Sequence, residues 1–127
     1  MLGSAALVGF VGVFDLDRAR HFYGDLLGLS LRDERPFAIV ADAGGTMLRI
    51  TLVDDVAPVP YTVLGWRVSD IDTTIDHLVA RGVTVTRFEA MDQDRRGVWT
   101  APGGSRIAWF QDPDGNNLSL TEFAEPH

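Results

Sequence analysis

The sequence predicts an α+β fold of two tandem βαβββ modules whose open sheets enclose a cleft, and two internal echoes carry that prediction. In the first, Asp42-Ala43-Gly44-Gly45-Thr46-Met47-Leu48-Arg49-Ile50-Thr51 lines up with Asp112-Pro113-Asp114-Gly115-Asn116-Asn117-Leu118-Ser119-Leu120-Thr121. Asp, Gly, Leu and Thr recur, and Ile stands for Leu. In the second, Val13-Phe14-Asp15-Leu16-Asp17 lines up with Val68-Ser69-Asp70-Ile71-Asp72. A unit written twice reports architecture more directly than any single motif. The echoes run at offsets of 70 and 55 residues, so the second module holds about fifteen extra residues, assigned to the loops 89–97 and 102–106.

The first module covers residues 5–53. Residues 5–14 alternate small and apolar side chains up to Asp15 and read as a strand. Residues 16–27 read as a helix: Asp15 or Asp17 supplies its N-cap, Gly28 ends it, and Ala19, Phe22, Tyr23, Leu26 and Leu27 share one face. Residues 30–34, 37–41 and 47–53 complete three short strands, with turns at Arg35-Pro36 and at residues 42–45. The two prolines of residues 54–61 mark a linker. The second module, 62–124, repeats the order. Residues 63–68 form a strand and 71–81 a helix with Ile71, Ile75, Leu78 and Val79 inward. Strands follow at 83–88, 98–101, 107–111 and 117–121. The last two flank Asp112-Pro113-Asp114-Gly115, where Pro presets φ and Gly is free to take a positive φ.

The composition narrows the function classes. At 127 residues, with 46% hydrophobic residues, this is one domain or two small modules sharing a core. A net charge of −7 argues against nucleic acid or an anionic membrane as partner, since both require a basic footprint. The absence of cysteine excludes disulfides and thiolate metal sites and fits a cytoplasmic protein. The apolar start is too short to span a membrane and lacks the charged leader of a signal peptide. Gly44-Gly45 and Gly103-Gly104 are not phosphate loops, because no helix and no Lys-Ser/Thr pair follows either. No serine or cysteine nucleophile stands with a histidine base.

The motif of residues 13–23 (VFDLDRARHFY), with Leu27-Gly28-Leu29, Val68-Ser69-Asp70-Ile71-Asp72, Ala80-Arg81-Gly82-Val83 and Asp112-Pro113-Asp114-Gly115-Asn116, resembles the glyoxalase/bleomycin-resistance/dioxygenase (vicinal oxygen chelate) superfamily over nearly the whole chain. The resemblance implies the duplicated fold and a homodimer. It leaves the activity open, because the superfamily spans lyases, isomerases, epimerases, dioxygenases and antibiotic-binding proteins. It also implies where metal-using members keep four ligands, and those positions are Val8, Arg49, Val63 and Ser119. Valine has no donor, arginine repels a cation, and a lone serine hydroxyl is a poor ligand, so neither a metal site nor a cofactor is expected. The histidines His21, His77 and His127 are expected at the surface.

Strand alternation extends the cleft face to Val8, Phe10 and Gly12, to Met47, Arg49 and Thr51, to Val63, Gly65 and Arg67, and to Asn117, Ser119 and Thr121. The resemblance adds Ile107 and Trp109. Val11, Val13, Leu64, Trp66, Val68, Phe110, Leu118 and Leu120 are assigned to packing under the helices, and Trp99 to a strand anchor. The expected ligand set is Phe10, Arg49, Thr51, Arg67, Ile107, Trp109 and Ser119. Two arginines beside an apolar, aromatic wall point to a small organic ligand carrying an anionic group. The leading expectation is a metal-free binding protein. The alternative is a metal-independent lyase or isomerase whose base comes from the loop 89–94 or a second subunit. A third is an association module whose open faces serve only pairing.

Overall fold

Asp15 and Asp70 each end a strand and start a helix. Both adopt extended backbone, and their carboxylates accept from the N–H groups of Arg18 and Thr73, three residues on. This satisfies one orphan donor at each helix start and places an anion at the positive end of the dipole. At Asp70 the Thr73 N–H and hydroxyl hold the carboxyl below its usual range. The second echo is therefore a repeated cap.

The computed structural model describes residues 1–124, so the expectation for His127 lies outside the described residues. The chain forms two compact units, residues 1–58 and residues 59 onward. In the first, a short 3-10 turn, Leu2–Ser4, precedes strand β1 (Val8–Val13), helix α1 (Leu16–Ala19) and strands β2 (Ser30–Glu34), β3 (Ala38–Ala43) and β4 (Thr46–Leu52). The sheet order is β1-β4-β3-β2, with β1 parallel to β4 and the other pairs antiparallel. In the second unit, β5 (Leu64–Arg67), α2 (Ile71–Ala80), β6 (Trp99–Thr100), β7 (Arg106–Gln111) and β8 (Asn117–Glu122) give the order β5-β8-β7-β6, with β5 parallel to β8. The two sheets thus share one connectivity, and the α+β class and its two modules are observed.

Several elements differ from the sequence reading. The first strand starts at Val8, three residues late. The helix runs from Leu16 but widens into a π-helix over Arg20–Leu26, where the Leu27 N–H bonds the Phe22 carbonyl at 3.0 Å. Gly24 permits the wider turn to approach β2, since a Cβ there would stand 2.8 Å from Leu31 Cδ1. Residues 83–88 alternate like a strand yet form only a bridge, Val85 to Phe110, plus one bond from the Thr86 N–H to the Trp109 carbonyl. The reason lies in Gln93, whose side-chain amide takes the backbone groups a ladder would use. Its Oε1 accepts from the Phe88 N–H at 2.8 Å, and its Nε2 donates to the Thr86 and Gly97 carbonyls. The strand expected at 98–101 shortens to two residues.

Each sheet is buried on its helix side. Val11, Val13, Ile39, Leu48 and Ile50 are buried with Leu16, Phe22 and Tyr23 in the first unit; Ala108, Phe110, Leu118 and Leu120 are buried with Ile71, Ile75 and Leu78 in the second. Leu64, Trp66 and Val68 are half-buried, with the Trp66 ring stacked on Phe110. Val79, expected inward, is exposed, because Leu78 falls closer to the line of Ile71 and Ile75 on the helix wheel. The other face of each sheet is open. In β1, Phe10 is 63% exposed next to buried Val11.

Candidate functional site

Residues paired across a ladder project to the same side of a sheet, so register alone assembles the open faces. In the second unit, Ser119 pairs with Gly65 on one side and Trp109 on the other, and Thr121 likewise joins Arg67 to Ile107, which pairs in turn with Trp99. Arg67, Ile107, Trp109 and Ser119, four of the seven expected residues, therefore share one face. The Trp109 ring meets Phe88 edge-on at 5.6 Å between centroids and Trp99 at 6.3 Å with a 38° tilt. This aromatic cluster extends beyond the sequence reading, in which Trp99 was a strand anchor and Phe88 a strand residue. The spacing of Trp99 and Trp109 around a glycine turn was visible; the approach of Phe88 depends on the Gln93 brace and left no local signal.

Beneath the cluster, Gly65 leaves the sheet floor bare, since a Cβ there would stand 2.9 Å from Ser119 Oγ. Ser119 is almost buried, and its hydroxyl has no hydrogen-bond partner among the described residues. At the edge strand, the guanidinium of Arg67 lies 5.3 Å from the centroid of the Phe123 ring and makes no ion pair with a described residue. One end of the face is held by Gln111, which donates to Asn117 Oδ1 at 3.0 Å, while Asn117 donates to the Val59 carbonyl.

The first unit gathers the remaining three. Phe10 pairs with Arg49 and Gly12 with Thr51, all on the open side. Arg49 is paired with a carboxylate: its Nη2 donates to Glu34 Oε1 at 2.9 Å, and that bond holds the Glu34 carboxyl below the usual range. Thr51 is half-buried, its hydroxyl 3.5 Å from the Arg49 carbonyl. Toward the glycine turn the same face sinks into a groove of about 400 Å³ lined by Ser30, Arg32, Val40, Asp42 and Met47.

The four positions of a superfamily-type metal site carry two isopropyl groups, a guanidinium engaged with Glu34, and a hydroxyl. This donor set does not fit a divalent cation. Among the described residues no three His, Asp or Glu side chains converge. His21 and His77 are exposed, and His21 Nδ1 lies 3.0 Å from Asp25. Asp94, one source considered for a catalytic base, is committed to structure. Burial pushes its carboxyl up, but the N–H groups of Val98 and Arg96 and the charge of Arg106 outweigh that and hold it low. Asp112 is likewise a turn former, accepting from the N–H groups of Asp114 and Asn116 and from the Asn116 amide. No helix among the described residues is long and apolar enough to cross a membrane.

The architecture has close counterparts. The chain superposes on a glyoxalase/bleomycin resistance protein/dioxygenase superfamily member from Sphaerobacter thermophilus DSM 20745 with a TM-score of 0.73 at 25% identity, covering 97% of this chain and 100% of the other. It superposes on TnmS3, an antibiotic binding protein from Streptomyces sp. CB03234, with a TM-score of 0.72 at 26% identity over 96% and 98% of the two chains. A lactoylglutathione lyase from Agrobacterium tumefaciens shares the fold, with a TM-score of 0.72 at 22% identity over 94% and 93%. No curated protein matches the chain. Residues 5–120 match the family described as Glyoxalase/Bleomycin resistance protein/Dioxygenase superfamily, and the chain belongs to that superfamily.

Proposed function

We propose that the protein binds a small, anionic, partly aromatic organic molecule without a metal ion, and that the open face of the second sheet is the principal contact surface. The observation that carries this reading is the Trp109 ring, flanked by Phe88 and Trp99 and lying on the same face as Ser119 and Arg67, neither of whose side chains has a hydrogen-bond or ion-pair partner among the described residues. An aromatic platform takes a flat apolar body, a hydroxyl fixes orientation, and a guanidinium selects an anion. Phe10, Arg49, Thr51 and Ile107 belong to the same reading as secondary contacts, with the Arg49 charge shared with Glu34. The likeness to an antibiotic binding protein supports sequestration rather than turnover. The protein acts as a cytoplasmic homodimer with no nucleic-acid or membrane partner: the −7 charge supports the absence of those partners, the lack of cysteine the compartment, and the superfamily membership the pairing.

Titration of intrinsic tryptophan fluorescence with a panel of aromatic carboxylic acids tests this. Saturable quenching in the wild type, lost in Trp109→Ala, and unchanged ligand after prolonged incubation are expected. Quenching that survives Trp109→Ala would move the site elsewhere, and conversion of the ligand would replace binder with enzyme.

A further inference from the structure

The geometry points to a second ligand site, on the helix side of the second unit, that takes a small amphipathic anion. It is a groove of about 540 Å³ between α2 and the irregular segment that replaces the expected strand. Val79, Val83 and Val85 give it an apolar lining, and Val79 is exposed. Three arginines stand around it, with Asp76 as the carboxylate in the lining. Arg96 meets Asp76 through two bonds of 3.0 Å and is neutralised. Arg87 is pinned instead by neutral acceptors, its Nη1 and Nη2 donating to the carbonyls of Asp94 and Arg95 at 2.7 and 2.6 Å. Arg95 is exposed, and its side chain makes no hydrogen bond or ion pair with a described residue.

The groove therefore keeps two positive charges without a paired carboxylate among the described residues, in a chain whose net charge is −7. Exposed arginines usually pair or stand in open water. Here one is held by backbone carbonyls, and a second lines the same groove as the valine side chains. A carboxylate, sulfonate or phosphate on an apolar body satisfies both halves of this lining at once. The wall that carries Arg95 and Arg96 lies in the longer loop of the second module, so the first unit has no equivalent. The site is separate from the open sheet face and does not depend on the function proposed for it.

The probe is 8-anilinonaphthalene-1-sulfonate, titrated into the full chain and followed by amide chemical shifts in heteronuclear NMR. Saturable shifts at the amides of Val79, Val83, Val85 and Arg95 are expected. Arg95→Glu and Val79→Asp should each weaken this binding at least tenfold, whereas Trp109→Ala should leave it unchanged. N-phenyl-1-naphthylamine, which lacks the sulfonate, should bind at least tenfold more weakly. The Arg95 side chain makes no hydrogen bond with a described residue and Val79 is exposed, so both variants should retain dispersed native spectra. Shifts confined to β5–β8, no binding at millimolar probe, equal affinity in Arg95→Glu, or equal affinity for the neutral analogue would each overturn the proposal.

Discussion

Arg49 Nη2 donates to Glu34 Oε1 at 2.9 Å across the first sheet, so this guanidinium already has a carboxylate partner. Arg67 in the second unit faces only the Phe123 ring among the described residues. Two arginines that look equivalent in sequence thus differ in what they can offer an anion. Replacing Arg67 with alanine should weaken an anionic ligand by about 1.5–3 kcal/mol, the range for a charge-assisted bond. Arg49→Ala should cost less than about 1 kcal/mol, the worth of a screened pair. Calorimetric titration of both variants compares them, and equal losses would contradict the distinction.

The repeated glycine turn makes a second comparison. Asp112 is buried and accepts two backbone N–H groups and the Asn116 amide, whereas Asp42 is exposed and accepts only from the Gly45 N–H at 3.2 Å. Asp112→Ala should destabilise the fold by about 3 kcal/mol through buried donors left unmatched, and Asp42→Ala by about 0.5–1 kcal/mol. Urea unfolding of the two variants gives both numbers. Similar costs would mean that the two turns do equal structural work.

Acid should destabilise the protein. Glu34 and Asp76 are held low by bonds from Arg49 and Arg96, and Asp70 by the Thr73 N–H; at Asp94, burial is outweighed by the Val98 and Arg96 N–H groups. A carboxyl lowered in the folded state stabilises it above the unfolded pKa, and that stabilisation is lost as protons bind on acidification. The unfolding midpoint should therefore hold near neutrality and fall below about pH 5, once the ordinary carboxylate range is entered. Asp76→Asn should make the decline shallower. A midpoint that rises on acidification would reverse the assignment of these bonds as stabilising.

The parts of the fold that were legible in sequence are those governed by local chemistry. Both Asp caps, the hairpin after Asp112 and the alternation that buries Val11 and Val13 while exposing Phe10 all follow from side chains acting on their own neighbourhood. The departures share a different cause. Residues 83–88 have the alternation of a strand, but Gln93, five residues beyond Phe88, bonds their backbone first. Arg49 is paired by Glu34, which reaches it from β2. Phe88 joins the Trp109 cluster only because that same glutamine fixes its loop. Each departure is a contact between segments that periodicity reads separately.

The second sheet's open face is most directly tested by calorimetry with a matched pair, an aromatic carboxylate and its primary amide. The two share a ring and differ in charge, so the platform of Trp109, Phe88 and Trp99 should accept both. The carboxylate should bind more tightly by about 1.5–3 kcal/mol, and Arg67→Ala should erase that difference while leaving the amide unchanged. Equal affinity for acid and amide in the wild type would contradict an anion-selective site on this face.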